Sequence, residues 1–358
     1  VMEIFFPEST SHVFIMDVLH FWSKEYHVDG FHLIGSNLPI GSIVHDPLLS
    51  RTKIFTDTFN GEFDARRKYK NLFIYKEEYQ FPVRMLLNHY DTDIKEFANQ
   101  QRKQDINYGY VNFLASNNGF TLADVFAYSE KHNEANREDN KDGSDYNLSY
   151  NFGVEGPSKK RFVNDIRRKR MHLAFEMLMY GQGVPLIMAG DEFGNTQLGN
   201  NNAYCQDNEI GWVNWSLFNK YREDREFIKS LIAFRKDHKV IVKAEPYRFT
   251  DYRSVGAPDY SYHGENAWIS QIDHGRKSLG VMYCGAYAKD EEDKTDIYIG
   301  YNLYANEVRL ALPILPNKKW TLDGVVLEDQ MYVTVVPHSV AVLMTKEVPQ
   351  EKKTKKKK

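Results

Sequence analysis

Chemistry in this chain would have to come from strand tips or from two polar loops. Glu25 to Gly35 reads as a helix end, a tight turn at Asp29-Gly30, and a short buried strand, Phe31-His32-Leu33-Ile34. In a βα-barrel, reactive groups sit where a strand's C-terminal end opens into its loop. That end here is Leu33-Ile34-Gly35, which carries no acid, base, nucleophile or metal ligand. His32 lies beside it and reads as an interior histidine. A second strand candidate, Thr52 to Asp57, ends in a carboxylate. The loop 130–158 holds His132, Asn133, Asn136, Glu138, Asn140 and Asp142, and a second polar loop runs from Gly190 to about Trp215. Such residues order a loop through side-chain-to-backbone bonds, and they also suit a ligand rich in hydroxyls.

The elements that position these residues alternate. A strand at Val1–Phe6 precedes a helix from Ser11 to Tyr26, with Phe14, Ile15, Val18, Leu19 and Trp22 at helical spacing and Trp22 in the core. Further strands are expected at Thr52–Asp57, Leu72–Tyr75, Tyr110–Ala115 and, fully buried, Val184–Gly190. Helices are expected at Phe81–Phe97, from Thr121, at Lys159–Gly181 and at Glu223–His238. That makes about six βα units, two short of a closed barrel. The start at Val1 favours a C-terminal piece of a larger protein. From Val240 to Met344, short alternating runs separated by turns predict an all-β sandwich. The resulting domains are 1–238, 239–346 and a disordered Lys-rich tail at 347–358.

Composition excludes several classes. The formal net charge of −3 gives no field for nucleic acid, and no apolar run is long enough to cross a membrane. Cys205 and Cys284 stand far apart with no metal-type spacing, so no metal or cofactor is expected and a reducing cytoplasm is the expected compartment. Oligomeric state is not legible. Aromatics reach 14%, which suits stacking on sugar faces, although most rings fill core and interface.

The two polar loops, from Lys131 to Pro157 and from Ala189 to Ile210, closely resemble the glycogen-debranching and isoamylase branch of glycoside hydrolase family 13, the alpha-amylase superfamily. Tyr26-His27-Val28-Asp29-Gly30-Phe31, Gly119-Phe120-Thr121-Leu122 and Gln182-Gly183-Val184-Pro185 match the same branch, and Pro337-His338-Ser339 with the strand after it resembles its C-terminal sandwich. The resemblance implies a (β/α)8 TIM barrel, of which strands three to eight lie in this chain, followed by an all-β sandwich. It implies hydrolysis of α-1,6 linkages in glycogen or starch, with α-glucan or maltooligosaccharide as partner. Retention in such a reaction needs two carboxyl groups about 5–5.5 Å apart.

Position by position, the implied site departs from that pattern. Ile34 stands where the nucleophilic aspartate is implied, and an isoleucine forms no glycosyl ester. Asp57 stands where the acid/base glutamate is implied, one methylene shorter, and is the retained carboxyl. Asn117-Asn118 replaces a His-Asp pair, with Asn118 at the third carboxylate. His32, Asn117, Asn118, His132 and Asn133 are the candidate sugar contacts. The expectation is a glucan-binding or regulatory pseudoenzyme. The alternative is an active glucan hydrolase that uses Asp57 with a carboxylate relocated to Glu77, Glu78 or Asp91. A purely structural partner is the third reading. Asp191-Glu192, Trp212 and Trp215 read as loop structure.

Overall fold

The computed structural model describes residues 8–35, 38–57, 59, 69–273, 275–288 and 294–348. The strand expected at Val1–Phe6 and all of the tail beyond Val348 lie outside them. Five parallel strands form one sheet in chain order: β1 (Gly30–Leu33), β2 (Lys53–Thr56), β3 (Leu72–Lys76), β4 (Gly109–Phe113) and β5 (Val184–Leu186). Consecutive parallel strands with helical crossovers are the barrel pattern. Register places Phe31 beside Ile54, Ile54 beside Leu72, and Val111 beside Val184.

Alternation along these strands divides two faces. Phe31, Leu33, Ile54, Leu72 and Ile74 turn outward, where they pack with Leu19 of α1 (Glu8–Glu25) and with Ile40, Ile43 and Val44 of α2 (Ile40–His45). His32, Phe55, Phe73 and Tyr75 turn to the other face and touch one another.

Several expectations are corrected. The turn after α1 is made at His27, in left-handed backbone (φ +54°), and Val28 N–H closes on the Trp22 carbonyl at 3.4 Å. Gly30 already belongs to β1, and a Cβ there would come within 3.0 Å of the Lys53 carbonyl. β1 and β5 each have one neighbouring strand among the described residues, so neither is fully buried. Trp22 is exposed and stacks on Tyr26 at 4.6 Å rather than entering the core. The single helix expected at Phe81–Phe97 is two, α3 (Gln80–Leu87) and α4 (Lys95–Gln101), separated by a turn in which His89 has φ +64°. The Asp93 carboxylate accepts from Lys95 N–H at 3.0 Å and starts α4.

Thr121 caps the short α5 (Leu122–Val125) by accepting from Asp124 N–H. The long α6 (Arg161–Met179) follows the first polar loop. After the second loop come α7 (Leu217–Lys220) and α8 (Arg222–Asp237), with α6 packed on α8. No described helix is long and apolar enough to cross a membrane.

The rest is antiparallel: β6 (Tyr260–His263), β7 (Ser278–Tyr283), β8 (Ile297–Asn302), β9 (Val308–Ala311), β10 (Lys318–Leu322), β11 (Val325–Val326), β12 (Tyr332–Val335) and β13 (Ser339–Glu347). Six strands form one sheet in the order β11-β10-β13-β8-β7-β6, and β12 pairs with β9 opposite it. β7 and β8 are buried on both faces. One face meets β9 and β12 through Met282, Tyr298, Leu310, Val333 and Val335. The other, with Val281, Tyr283, Ile299 and Tyr301, joins Tyr79, Phe97 and Tyr180 in one core. Val240 and Ile241 are buried in that same core. The change at Lys239 is therefore one of secondary structure, not a gap in packing.

Polar bonds cross the seam as well. Tyr283 OH donates to the Tyr180 carbonyl at 2.6 Å, Tyr262 OH to the Ala98 carbonyl at 2.7 Å, and Gln182 Nε2 to the Lys243 and Glu245 carbonyls at 2.6 and 2.8 Å. Because the core is shared, the two sheets should unfold together. Tyr283→Phe leaves the buried Tyr180 carbonyl with only the long 3.5 Å bond from Gln101 Nε2 and is expected to cost about 1 kcal/mol. Calorimetry should show one transition shifted downward; separate melting of helices and sandwich would contradict the shared core.

Candidate functional site at the strand tips

The lumen-side tips of β1, β2 and β3 bring three side chains together. His32 Nε2 lies 3.0 Å from Asp57 Oδ1, and the His32 ring stacks on Tyr75 with centroids 4.2 Å apart and planes 13° apart. A carboxylate can only accept, so in this pair Nε2 carries the proton. Burial, and then the Asp57 charge, raises the Tyr75 phenol above its usual range. Phe55 stands edge-on to Tyr75 at 5.9 Å, and Phe113 of β4 packs on it at 5.6 Å. The result is an aromatic floor with one imidazole–carboxylate pair at its edge.

Ile34 follows β1 directly and is 73% exposed, with its branched alkyl chain at the tip. Asn117 and Asn118 lie in the exposed turn after β4. Asn118 N–H bonds Ser116 Oγ at 3.3 Å, and neither side-chain amide has a hydrogen-bond partner among the described residues. Glu77 and Glu78 are exposed in the turn after β3, and Asp91 is exposed in the α3–α4 turn. Among the described residues, no hydrogen bond or ion pair joins a second carboxylate to the His32–Asp57–Tyr75 cluster. Tyr75 is absent from the candidates that the sequence suggests; its signal is its place two residues after Phe73, on the lumen-facing alternation of a strand.

The polar loops follow β4 and β5 and are held together by side-chain bonds. Asn133 is fully buried and its amide is consumed: Nδ2 donates to Asn201 Oδ1 at 2.9 Å and to the Asp142 carbonyl at 2.9 Å, while Oδ1 accepts from Asn201 N–H at 3.0 Å. Asn133 is thereby removed from the expected sugar contacts, since it has no surface to present. His132 is half-exposed, with Nε2 3.1 Å from Glu155 Oε1 and its N–H on the Gly199 carbonyl at 2.7 Å. Asp142 Oδ2 accepts from Asn136 and Asn202 at 2.7 and 2.9 Å; the Asn136 bond is the main cause of its lowered pKa. Gly143 (φ +70°) is obligatory, because a Cβ would meet Asn201 Oδ1 at 2.2 Å. Trp212 Nε1 donates to Asp207 at 3.0 Å, and Trp215 packs on Phe193 at 5.7 Å, both exposed on one side.

Deeper, Asp191 accepts from Leu122 N–H at 2.9 Å, and Asp124 accepts from Thr196 Oγ1 and, at 2.8 Å, from Gln197 N–H. Burial pushes Asp191 up to about 8 and Asp124 up to about 6. Arg84 donates to the Leu114 carbonyl at 3.0 and 2.6 Å and to the Asn147 carbonyl at 2.9 Å, tying α3, the β4 tip and the first loop.

No family model matches the chain. The Glycogen operon protein GlgX homolog of Mycobacterium bovis is 35% identical over 266 residues, covering 66% of this chain and 37% of that protein. The Glycogen debranching enzyme of Serratia proteamaculans is 36% identical over 230 residues, covering 56% and 34%. The chain belongs to the debranching branch of glycoside hydrolase family 13. It spans under half the length of these family members. The solved pullulanase from Bacillus acidopullulyticus matches with TM-score 0.62 at 16% identity, covering 94% of this chain and 40% of that one, and carries the same barrel-plus-sandwich fold.

Asp191 gives this member of the family a testable pH signature. The group stays protonated when folded, up to about 8, while the unfolded chain ionises near 3.8. Its contribution to stability therefore falls as pH rises between those values. Asp191→Asn keeps the acceptor for Leu122 and cannot ionise. Its advantage over the parent should grow by about 1 kcal/mol or more between pH 5 and pH 8.5, read from denaturant midpoints. Parallel pH curves would contradict a buried neutral acid.

Proposed function

We propose that the protein binds α-glucan at the strand tips and does not hydrolyse it. The observation that carries this reading is Ile34. A retaining glycosidase needs a carboxylate nucleophile about 5–5.5 Å from its acid/base group. At the tip of β1 this chain presents methyl groups to solvent, and the neighbouring acid, Asp57, is engaged by His32.

Binding is supported by the shape of the floor. A flat His32–Tyr75 stack offers a face for a pyranose ring, and the Asp57 carboxylate and the free amides of Asn117 and Asn118 offer hydroxyl partners at its rim. The relatives are named for glycogen debranching, and one solved pullulanase, from Anoxybacillus sp. LM18-11, is a complex with maltotetraose. A maltooligosaccharide is accordingly the first ligand to test.

The purified full-length protein should bind maltohexaose in calorimetry and release no reducing sugar from branched glucan. Tyr75→Ala should weaken binding about tenfold, or ~1.4 kcal/mol. Turnover that disappears in Asp57→Ala would overturn the non-catalytic reading. Absence of heat at millimolar sugar would overturn the binding reading. Ile34→Asp should change stability by less than about 0.5 kcal/mol, because the side chain is exposed.

A further inference from the structure

Four arginines are deeply buried among the described residues: Arg84, Arg167, Arg170 and Arg235. Three commit their guanidinium groups to backbone carbonyls. Arg84 bonds Leu114 and Asn147, Arg167 bonds Gly156, Asn151 and Val154, and Arg235 bonds Met179, Gly181 and Gly183. Arg170, on α6, differs. It is 3% exposed, its Nη1 is buried without a hydrogen-bond partner, and no carboxylate pairs with it among the described residues. Its guanidinium lies 5.8 Å from the centre of the Phe152 ring.

Around it the seam between barrel and sandwich gathers a lysine and two imidazoles. His338, between β12 and β13, has φ +50° and a buried Nδ1 that is also unpartnered. His89, exposed after α3, stands 6.4 Å from the His338 ring at 86° and is edge-on to Phe152 at 5.7 Å and Tyr150 at 5.6 Å. Lys169 is exposed and holds the Pro337 carbonyl at 2.9 Å. Burial, then Arg170, His89 and Lys169, push His338 down to about 4, and burial, then Arg170 and Lys277, lower His89. No carboxylate opposes these shifts.

We propose that Arg170, His338, His89 and Lys169 form a site for a phosphate-class dianion, entered from the exposed His89 and Lys169 side. A buried guanidinium Nη1 and the His338 Nδ1, both without partners, fit a tetrahedral oxyanion, which accepts at several oxygens at once and can take a proton donor at either nitrogen. A neutral polyol leaves the charges uncompensated. A single carboxylate offers one negative charge to two permanent cations. The chain's net charge of −3 argues against a nucleic-acid surface. The site is separate from the strand tips and does not rest on glucan binding there.

The test is titration of the full-length protein with inorganic phosphate, against sodium chloride at matched ionic strength, following melting temperature and the imidazole resonances of His89 and His338. Phosphate should raise the melting temperature and move both resonances, and chloride should do neither. His89→Ala, at an exposed position, should weaken phosphate at least tenfold. Arg170→Met should abolish the response, yet melt no lower than the parent without phosphate, because an unpaired buried charge is replaced by an apolar chain of similar length. A response to phosphate no larger than to chloride, or one that survives His89→Ala, overturns the site. Should Arg170→Met not fold, the guanidinium is structural and the proposal then stands or falls on His89→Ala. Glucose 6-phosphate binding at least tenfold tighter than inorganic phosphate assigns the site to a sugar phosphomonoester; equal binding assigns it to the free anion.

Discussion

Two long loops follow the C-terminal ends of β4 and β5, and their buried backbone has no strand or helix to satisfy it. Buried N–H and C=O groups must find partners. Here asparagine supplies them. Asn133 and Asn201 exchange reciprocal bonds, Asn136 and Asn200 pair at 2.9 Å, and Asn201 Nδ2 reaches the Ser144 carbonyl and Asn147 Oδ1. An amide carries a donor and an acceptor on a short stem and tolerates left-handed backbone, which Asn140 adopts at φ +55°. Arg84 then fastens this lattice to the tip of β4, and Asp124 and Asp191 fasten it to α5 and the loop after β5. That clamp fixes the β4 tip and the loop after β5.

Much of this arrangement was legible in the chain. The parallel strands stand within a few residues of their expected places, because apolar runs bounded by Gly, Asn and charge have few other solutions. What was not legible depends on neighbours. The strand at β5 reads as fully buried from Val184-Pro185-Leu186-Ile187 alone, but burial follows from how many strands flank it, and β4 is its one partner among the described residues. The split between α3 and α4 was present as Asp91-Thr92-Asp93, a turn text outweighed by the apolar periodicity around it. At the site, Asp57 and His32 were candidates by position, whereas their contact is a tertiary fact. Asn133 shows the limit most plainly: an amide that orders a loop and one that grips a sugar are the same residue in a sequence, and only burial separates them.

The contrast between Asp29-Gly30-Phe31 and Ile34 has an energetic cause. Gly30 lies close against the Lys53 carbonyl, where a Cβ would sit 3.0 Å away, and Phe31 packs into the core beneath α1 and α2. A change at either is felt through the sheet. Ile34 lies beyond the last strand residue with most of its surface in water, so the fold places little demand on what stands there. On the proposed reading, the frame of the strand persists while its tip lacks the group a glycosidase needs. Asp57 meets the opposite situation. Its exposed carboxylate accepts from the His32 imidazole at 3.0 Å. The same imidazole stacks flat on Tyr75, so one residue bonds the acid and covers a face of the tyrosine ring. On the proposed reading, the carboxylate works as a fixed hydrogen-bond acceptor at the edge of that surface, a role that needs geometry and charge but no neighbouring nucleophile.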